Sequence, residues 1–232
     1  MKKELIVSEL FYSIQGEGQT MGIPAVFLRL AGCNLLCKGT GWICDSIEVW
    51  QKGVKTSFED VLPNEYVKRL KNGAHLVITG GEPMLHQKKL IDYLDWFESY
   101  YNFKPIIEIE TNGTILPNEM FFKKVNFWNC SPKLSTSGET HKRRFNKISL
   151  TRLNQAKETI FKFVISNKSD VLEMINEYGN VIDMKKVVLM PSGENQEQLN
   201  QTREIVLEQC IELGLRYSDR LHIVGWNQKT GV

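Results

Sequence analysis

A short apolar run, a polar turn and an amphipathic segment follow one another about six times along this chain, and that alternation limits its fold more than any other feature. Leu5 to Ser13, Ala25 to Leu30, His75 to Thr79, Ile106 to Ile109, Val125 to Asn129, Thr159 to Ile165 and Val187 to Met190 read as strands. Helices are expected over Pro63 to Lys71, Gln87 to Tyr101, Val171 to Tyr178 and Gln196 to Leu213, and a last short run covers Leu221 to Val224. In the second helix Leu90, Ile91, Leu94 and Phe97 recur at helical spacing. Strands alternating with helices predict a parallel α/β sheet. Residues 1–232 fit within one domain.

The polar residues are not scattered. Gly80-Gly81-Glu82-Pro83, Glu110-Thr111-Asn112-Gly113, Ser131-Pro132-Lys133 and Met190-Pro191-Ser192-Gly193 each follow a strand at once. In barrels of parallel strands the loops at that end build the active site. Any one of these turns is compatible with plain turn chemistry, but together with the cysteine loop they favour a pocket at one edge.

That loop, Gly32 to Ser46, follows the strand Ala25 to Leu30 and holds Cys33, Cys37 and Cys44, three of the five cysteines. Clustered thiolates suit a soft metal centre. An iron–sulfur cluster usually takes four cysteines, so three would leave one iron open to a substrate or cofactor. A structural zinc site completed by histidine or Cys130 is an alternative, as are inert packed thiols. No C-x2-C pair or H-x3-5-H partner supports zinc. Cys130 and Cys210 stand singly in apolar surroundings and read as core.

Composition narrows the function classes. A net charge of +2 gives no general pull towards nucleic acid or membrane, and the basic run Lys142, Arg143, Arg144 and Lys147 reads as a solvated segment. Glu4, Ser8 and Glu9 interrupt any signal-peptide core, and no apolar run is long enough to span a bilayer. Odd, clustered cysteines without a secretion signal point to a reducing cytoplasm.

Several residues carry two readings. Arg29 inside an apolar strand needs a partner, either a ligand carboxylate or a structural ion pair. Glu108 and Glu110 share one strand face, which is expected to meet polar ligands. Glu82 beside two glycines would suit a ligand's ammonium group, and Lys133 a ligand carboxylate or plain solvent. His222 is either a general acid or a satisfied core histidine. Trp42 reads as a shield for the metal centre, and the other tryptophans as core or rim packing.

A strand, a three-cysteine loop and a strand ending in Gly-Gly-Glu-Pro resemble the radical S-adenosylmethionine superfamily. Within it the chain resembles the 7-carboxy-7-deazaguanine synthase family. The resemblance rests on Tyr12-Ser13-Ile14-Gln15-Gly16-Glu17-Gly18, Phe27 to Asn34, Cys44-Asp45-Ser46, Thr79 to Pro83, Glu110 to Thr114, Ser131 to Lys133, Leu221-His222 and Trp226 to Val232. These stand in the family's order over nearly the whole chain. A glycyl-radical activase would share the cluster and Gly-Gly-Glu-Pro, but not the Gln-Gly-Glu-Gly start.

The resemblance implies an incomplete barrel of about six parallel strands with outer helices, in a cytoplasmic homodimer. It implies that Cys33, Cys37 and Cys44 hold a [4Fe-4S] cluster and that the hydroxyl of Ser46 binds Mg2+. Ile43, Cys44, Asp45, Gly81, Glu82, Ser131, Pro132, Lys133, Met190, Pro191, Ser192 and Gly193 would surround S-adenosylmethionine. Ile14, Gln15, Gly16, Glu17, Arg29, Thr79, Glu110, His222 and the carboxylate of Val232 would hold 6-carboxy-5,6,7,8-tetrahydropterin, with Glu17, Glu110 and His222 in catalytic roles. An electron from a flavodoxin- or ferredoxin-type donor would start a radical ring contraction that releases ammonia and gives 7-carboxy-7-deazaguanine. The family's spacing is C-x3-C-x2-C. Here four extra residues separate Cys37 from Cys44, and a bulge within Lys38-Gly39-Thr40-Gly41 would leave the thiols in place.

Overall fold

The computed structural model describes residues 3–39, 43–229 and 231. β1 (Glu4–Ile14) and β2 (Pro24–Leu30) form an antiparallel pair, and β3 (Val54–Ser57) adds antiparallel to the other side of β1. From β2 onward every neighbouring pair is parallel, through β4 (His75–Gly80), β5 (Ile107–Thr111), β6 (Phe127–Cys130), β7 (Thr159–Ile165), β8 (Val187–Pro191) and β9 (Arg216–Tyr217). The nine strands lie in the order β3-β1-β2-β4-β5-β6-β7-β8-β9. Each parallel crossover steps one place in the same direction, which places the connecting helices on one face. β3 and β9 are the two free edges, so the sheet is an open barrel.

The helices are α1 (Ile47–Trp50), α2 (Asn64–Lys71), α3 (Gln87–Tyr101), α4 (Glu119–Lys124), α5 (His141–Arg144), α6 (Lys147–Asn154), α7 (Lys168–Tyr178), α8 (Gln196–Leu213) and α9 (Leu221–Trp226). Their limits follow from local chemistry. Asn167 accepts the Ser169 and Asp170 amides at the start of α7, and Asn195 accepts the Gln198 amide at the start of α8. α8 stops at Gly214, whose φ of +65° suits a residue without Cβ.

Alternation along the strands sorts the side chains. Leu28, Ile78, Ile109, Trp128, Phe161, Phe163, Ile165 and Leu189 join Leu90, Phe97, Met174, Tyr178 and Val206 of the helices in one core, which also encloses Cys130 and Cys210. The opposite face of the same strands carries Arg29, Thr79, Glu108, Glu110, Asn129 and Lys162, and it lines the concave side.

Three features go beyond the sequence expectations or differ from them. β1 and β2 are antiparallel, because the link from Gln15 to Ile23 is too short for a crossover. The exposed β3 and the two-residue β9 have no apolar pattern of their own and exist through pairing with β1 and β8. The run beginning at Leu221 is helical. Among the described residues no helix is long and apolar enough to cross a membrane.

Phe163 is fully buried between β7 and α7. Phe163→Ala is expected to cost about 3–5 kcal/mol, seen as a lower urea midpoint. An unchanged midpoint would mean that this face is not the packed one.

Candidate functional site

The polar turns do meet at one end of the sheet, and Glu82 holds them there. Glu82 is 1% exposed, and its carboxylate accepts from the Asn112 amide at 2.7 Å, the Thr111 hydroxyl at 2.8 Å and the Met84 amide at 3.0 Å. Its own amide donates to Gly32 O at 2.9 Å. The loops after β2, β4 and β5 are thus fastened to one residue. Asn112 also donates to Asn34 at 3.0 Å, which ties the β5 loop to the cysteine loop. Burial pushes the Glu82 carboxyl up to about 7, against the pull of these hydrogen bonds. Three internal donors already occupy this carboxylate, so its first task is structural.

The glycines before it are required by packing. A Cβ on Gly80 would lie 2.3 Å from Leu30 O, and one on Gly81 would lie 2.5 Å from Gly32 O and 2.6 Å from the Cβ of Cys33. Backbone therefore meets backbone directly behind the first cysteine.

Within the cysteine loop an antiparallel bridge joins Lys38 to Ile43, and the Cys44 amide donates to Cys37 O at 3.0 Å. The two cysteines are pinched together by this pairing. Thr40, Gly41 and Trp42 lie outside the described residues, so the shielding role read for Trp42 does too. The loop rests on the segment after β6. Leu36 N donates to Glu139 at 2.5 Å, Arg143 donates to Asn34 O at 2.7 Å, and a Cβ on Gly39 would overlap Thr136 O at 1.7 Å. The basic run read as solvated is thus partly built in. Arg144 is buried and paired with Glu173 at 2.9 Å and Glu177 at 2.5 Å.

All five cysteines are free; Cys37 is buried, and Cys33 and Cys44 are half-buried. Burial, then the Glu82 carboxylate and the thiols of Cys37 and Cys44, push the Cys33 thiol up to about 11, against a hydrogen bond from the Leu35 amide. Among the described residues no three His, Cys, Asp or Glu side chains converge on a single-ion site.

Below the mouth lies a chain of charges. Arg29 donates to Glu9 at 3.0 Å and to Ser46 Oγ at 3.4 Å. Ser46 donates to Asp45 at 2.8 Å, and the other Asp45 oxygen accepts from Arg220 at 2.8 Å. Arg220 continues to Glu17 at 3.0 Å and to Gly193 O at 2.6 Å. Lys162, 2% exposed, bridges Glu17 at 2.5 Å and Glu110 at 3.1 Å. Gln15 donates to Glu108 at 2.6 Å and Glu110 at 3.1 Å, and Asn129 donates to both. Of the two readings for Arg29, the ion pair is present, with a neighbour on the adjacent strand. Glu108 corrects the expectation that its face meets ligands. It is fully buried and satisfied by Gln15, Thr20, Asn129 and His75.

The remaining residues fall around the same opening. Leu221 N donates to Gly16 O at 2.8 Å, and a Cβ on Gly16 would lie 2.3 Å from His222 Nδ1, so the histidine packs on bare backbone. Ile14 ends β1, and Thr79 sits opposite Arg29 in register. Lys133 donates to Ser131 Oγ at 3.2 Å, with Pro132 buried between them. Met190 and Pro191 end β8, and Ser192 accepts from Ser166 Oγ at 2.9 Å. Ile43 and Asp45 are exposed. Val232 lies outside the described residues.

Sequence reading missed Lys162 and Arg220. A lysine inside the apolar run Thr159 to Ile165 is the same signal that singled out Arg29. Arg220, in a polar stretch, gives no such signal. Burial acts to raise the Glu17 carboxyl, but Lys162, then Arg220 and His222, hold it well below the usual carboxylate range. Burial raises the Glu110 carboxyl despite Lys162, and Glu17 and Glu108 add to the rise. Burial pulls the Lys162 ammonium down, but Glu110 and Glu17 more than offset it.

A depressed carboxyl stabilises the fold above its unfolded pKa, and that contribution is lost as pH falls through its folded value. Melting temperature should therefore drop on acidification below about pH 4.5, and Glu17→Gln should make that drop shallower. Parallel curves for the two proteins would show that these cations do not hold Glu17 ionised.

Comparison with known proteins gives a consistent set of relatives. Residues 14–121 match the family model described as a 4Fe-4S single cluster domain. The 7-carboxy-7-deazaguanine synthase of Halobacterium salinarum is 34% identical over 96% of this chain and 91% of its own. That of Pyrobaculum aerophilum is 33% identical over 97% of this chain and 96% of its own. The crystal structure of QueE from Escherichia coli is similar with a TM-score of 0.68 and 26% identity, covering 94% of this chain and 95% of that one.

Proposed function

Because this chain belongs to the 7-carboxy-7-deazaguanine synthase family, we propose that it converts 6-carboxy-5,6,7,8-tetrahydropterin to 7-carboxy-7-deazaguanine with loss of ammonia, as a radical S-adenosylmethionine enzyme of queuosine and deazapurine biosynthesis. The observation that carries the reading is the loop of three free thiols beside a lumen lined with carboxylates and an arginine.

The donor set fits a four-iron cluster. Three soft thiols share a loop whose pinch keeps Cys44 beside Cys37 despite the extra residues. Bound there, the cluster and S-adenosylmethionine supply the one-electron chemistry that generates a hydrogen-abstracting radical. Cys33, Cys37 and Cys44 would hold the cluster. Ile43 to Asp45, Gly81, Glu82, Ser131 to Lys133 and Met190 to Gly193 would surround S-adenosylmethionine.

The chain's own residues then bind and orient the pterin. Arg29, steadied by Glu9, presents its remaining donors to the substrate carboxylate. Ile14, Gln15, Gly16 and Thr79 complete the wall. Glu17, held ionised, is a fixed hydrogen-bond acceptor. Glu110, whose proton affinity burial raises, is the carboxyl suited to pass a proton, with His222 beside Glu17 at 3.9 Å. The Ser46 hydroxyl offers an oxygen donor of the kind that Mg2+ takes. The family resemblance extends the proposal to a single-domain protein that forms a cytoplasmic homodimer and receives its electron from a flavodoxin- or ferredoxin-type donor.

Anaerobic reconstitution followed by assay with carboxytetrahydropterin tests the reading. The expected result is deazaguanine product; cofactor cleavage without it would favour a different radical enzyme. Cys33→Ala is expected to lose the cluster, and Cys130→Ala, deep in the core, to retain it. Equal iron loss in both would contradict the ligand assignment. Arg29→Ala is expected to weaken pterin binding roughly ten- to hundredfold with S-adenosylmethionine affinity nearly unchanged. A parallel loss of both would make Arg29 structural.

A further inference from the structure

Lys162 has no role in the reading above, yet it is the most deeply buried cation on the concave face. Its side chain is 3% exposed, whereas those of its partners Glu17 and Glu110 are 16% and 19% exposed. The ammonium therefore sits behind two carboxylates that reach the open lumen.

The partners are not equivalent. Glu17 has a cation on each oxygen, Lys162 at 2.5 Å on one and Arg220 at 3.0 Å on the other. Among the described residues Glu110 has one cation, Lys162 at 3.1 Å, and its second oxygen meets only the neutral amides of Gln15 at 3.1 Å and Asn129 at 3.3 Å. An ionised carboxylate only accepts hydrogen bonds, whereas a protonated one also donates. The pterin ring, with its amino group and ring N–H, presents a donor edge that pairs with a permanent acceptor.

We propose that Lys162 is a positioning residue for the pterin, fixing Glu17 as a permanent hydrogen-bond acceptor towards the ring's N–H edge and leaving Glu110 as the carboxyl that exchanges protons. The inference rests on the function proposed above. Without the ammonium, Glu17 and Glu110 would face each other as like charges and share a proton, so Glu17 would be an acceptor only part of the time.

Equilibrium dialysis under anaerobic conditions with 6-carboxy-5,6,7,8-tetrahydropterin decides it, alongside iron content and S-adenosylmethionine affinity. Lys162→Met should weaken pterin binding roughly ten- to hundredfold and leave the other two readouts unchanged, and Lys162→Arg should recover most of the loss. The double variant Lys162→Met/Glu110→Gln removes the competing charge, so it should bind pterin more tightly than Lys162→Met alone. If the single variant does not fold, the double variant is compared with the wild type, and binding within about tenfold supports the proposal. A single variant that binds like the wild type, one that loses S-adenosylmethionine equally, or a double variant without recovery would overturn it. Wild-type protein that fails to bind this pterin would instead sink the function on which the inference rests.

Discussion

The buried carboxylate of Glu82 is the fastening on which the open end of this sheet depends. Parallel strands deliver their following loops to one edge, but each loop leaves on its own course. Glu82 takes donors from the β5 turn and its own loop while its amide holds the cysteine loop. The close approach works only because Gly80 and Gly81 have no side chains to keep the backbones apart. Removing the carboxylate would leave three donors facing a dry interior, so the mouth and the fold share one fastening.

The concave face shows the complementary problem. Charges withdrawn from water are costly unless paired and hydrogen-bonded. Here the pairing runs as a chain, from Glu9 through Arg29, Ser46, Asp45, Arg220, Glu17 and Lys162 to Glu110. Segments distant in sequence thereby share one network, with the cysteine loop at its centre. Glu108 and His75 lie deeper and are wholly satisfied by the protein, whereas Glu17 and Glu110 keep an edge towards the lumen. The same strand thus supplies a carboxylate enclosed by the protein and one that stays open to the lumen, two positions apart.

Much of this was legible before any coordinates. The limits of α3, α8 and β7 follow from periodicity and caps, and the apolar runs marked the parallel strands. The convergence of the polar turns followed from the parallel rule. The short β3 and β9 left no trace because pairing partners, not their own residues, make them strands. Lys162 was legible by the logic that picked out Arg29, whereas Arg220 was not. Its importance comes from where the chain after β9 returns, beside Glu17 and Asp45.

Local chemistry in the sequence by itself determined the alternating architecture, the three-cysteine loop and the family to which the chain belongs. Only the tertiary structure decided which charges are partners. Arg29 meets Glu9, Glu108 turns inward to His75, and the bridge between Lys38 and Ile43 keeps Cys37 and Cys44 together. The physical reason is that propensity and patterning act over a few neighbouring residues. An ion pair is chosen by distance and dielectric, and those exist only once strands far apart in sequence lie side by side.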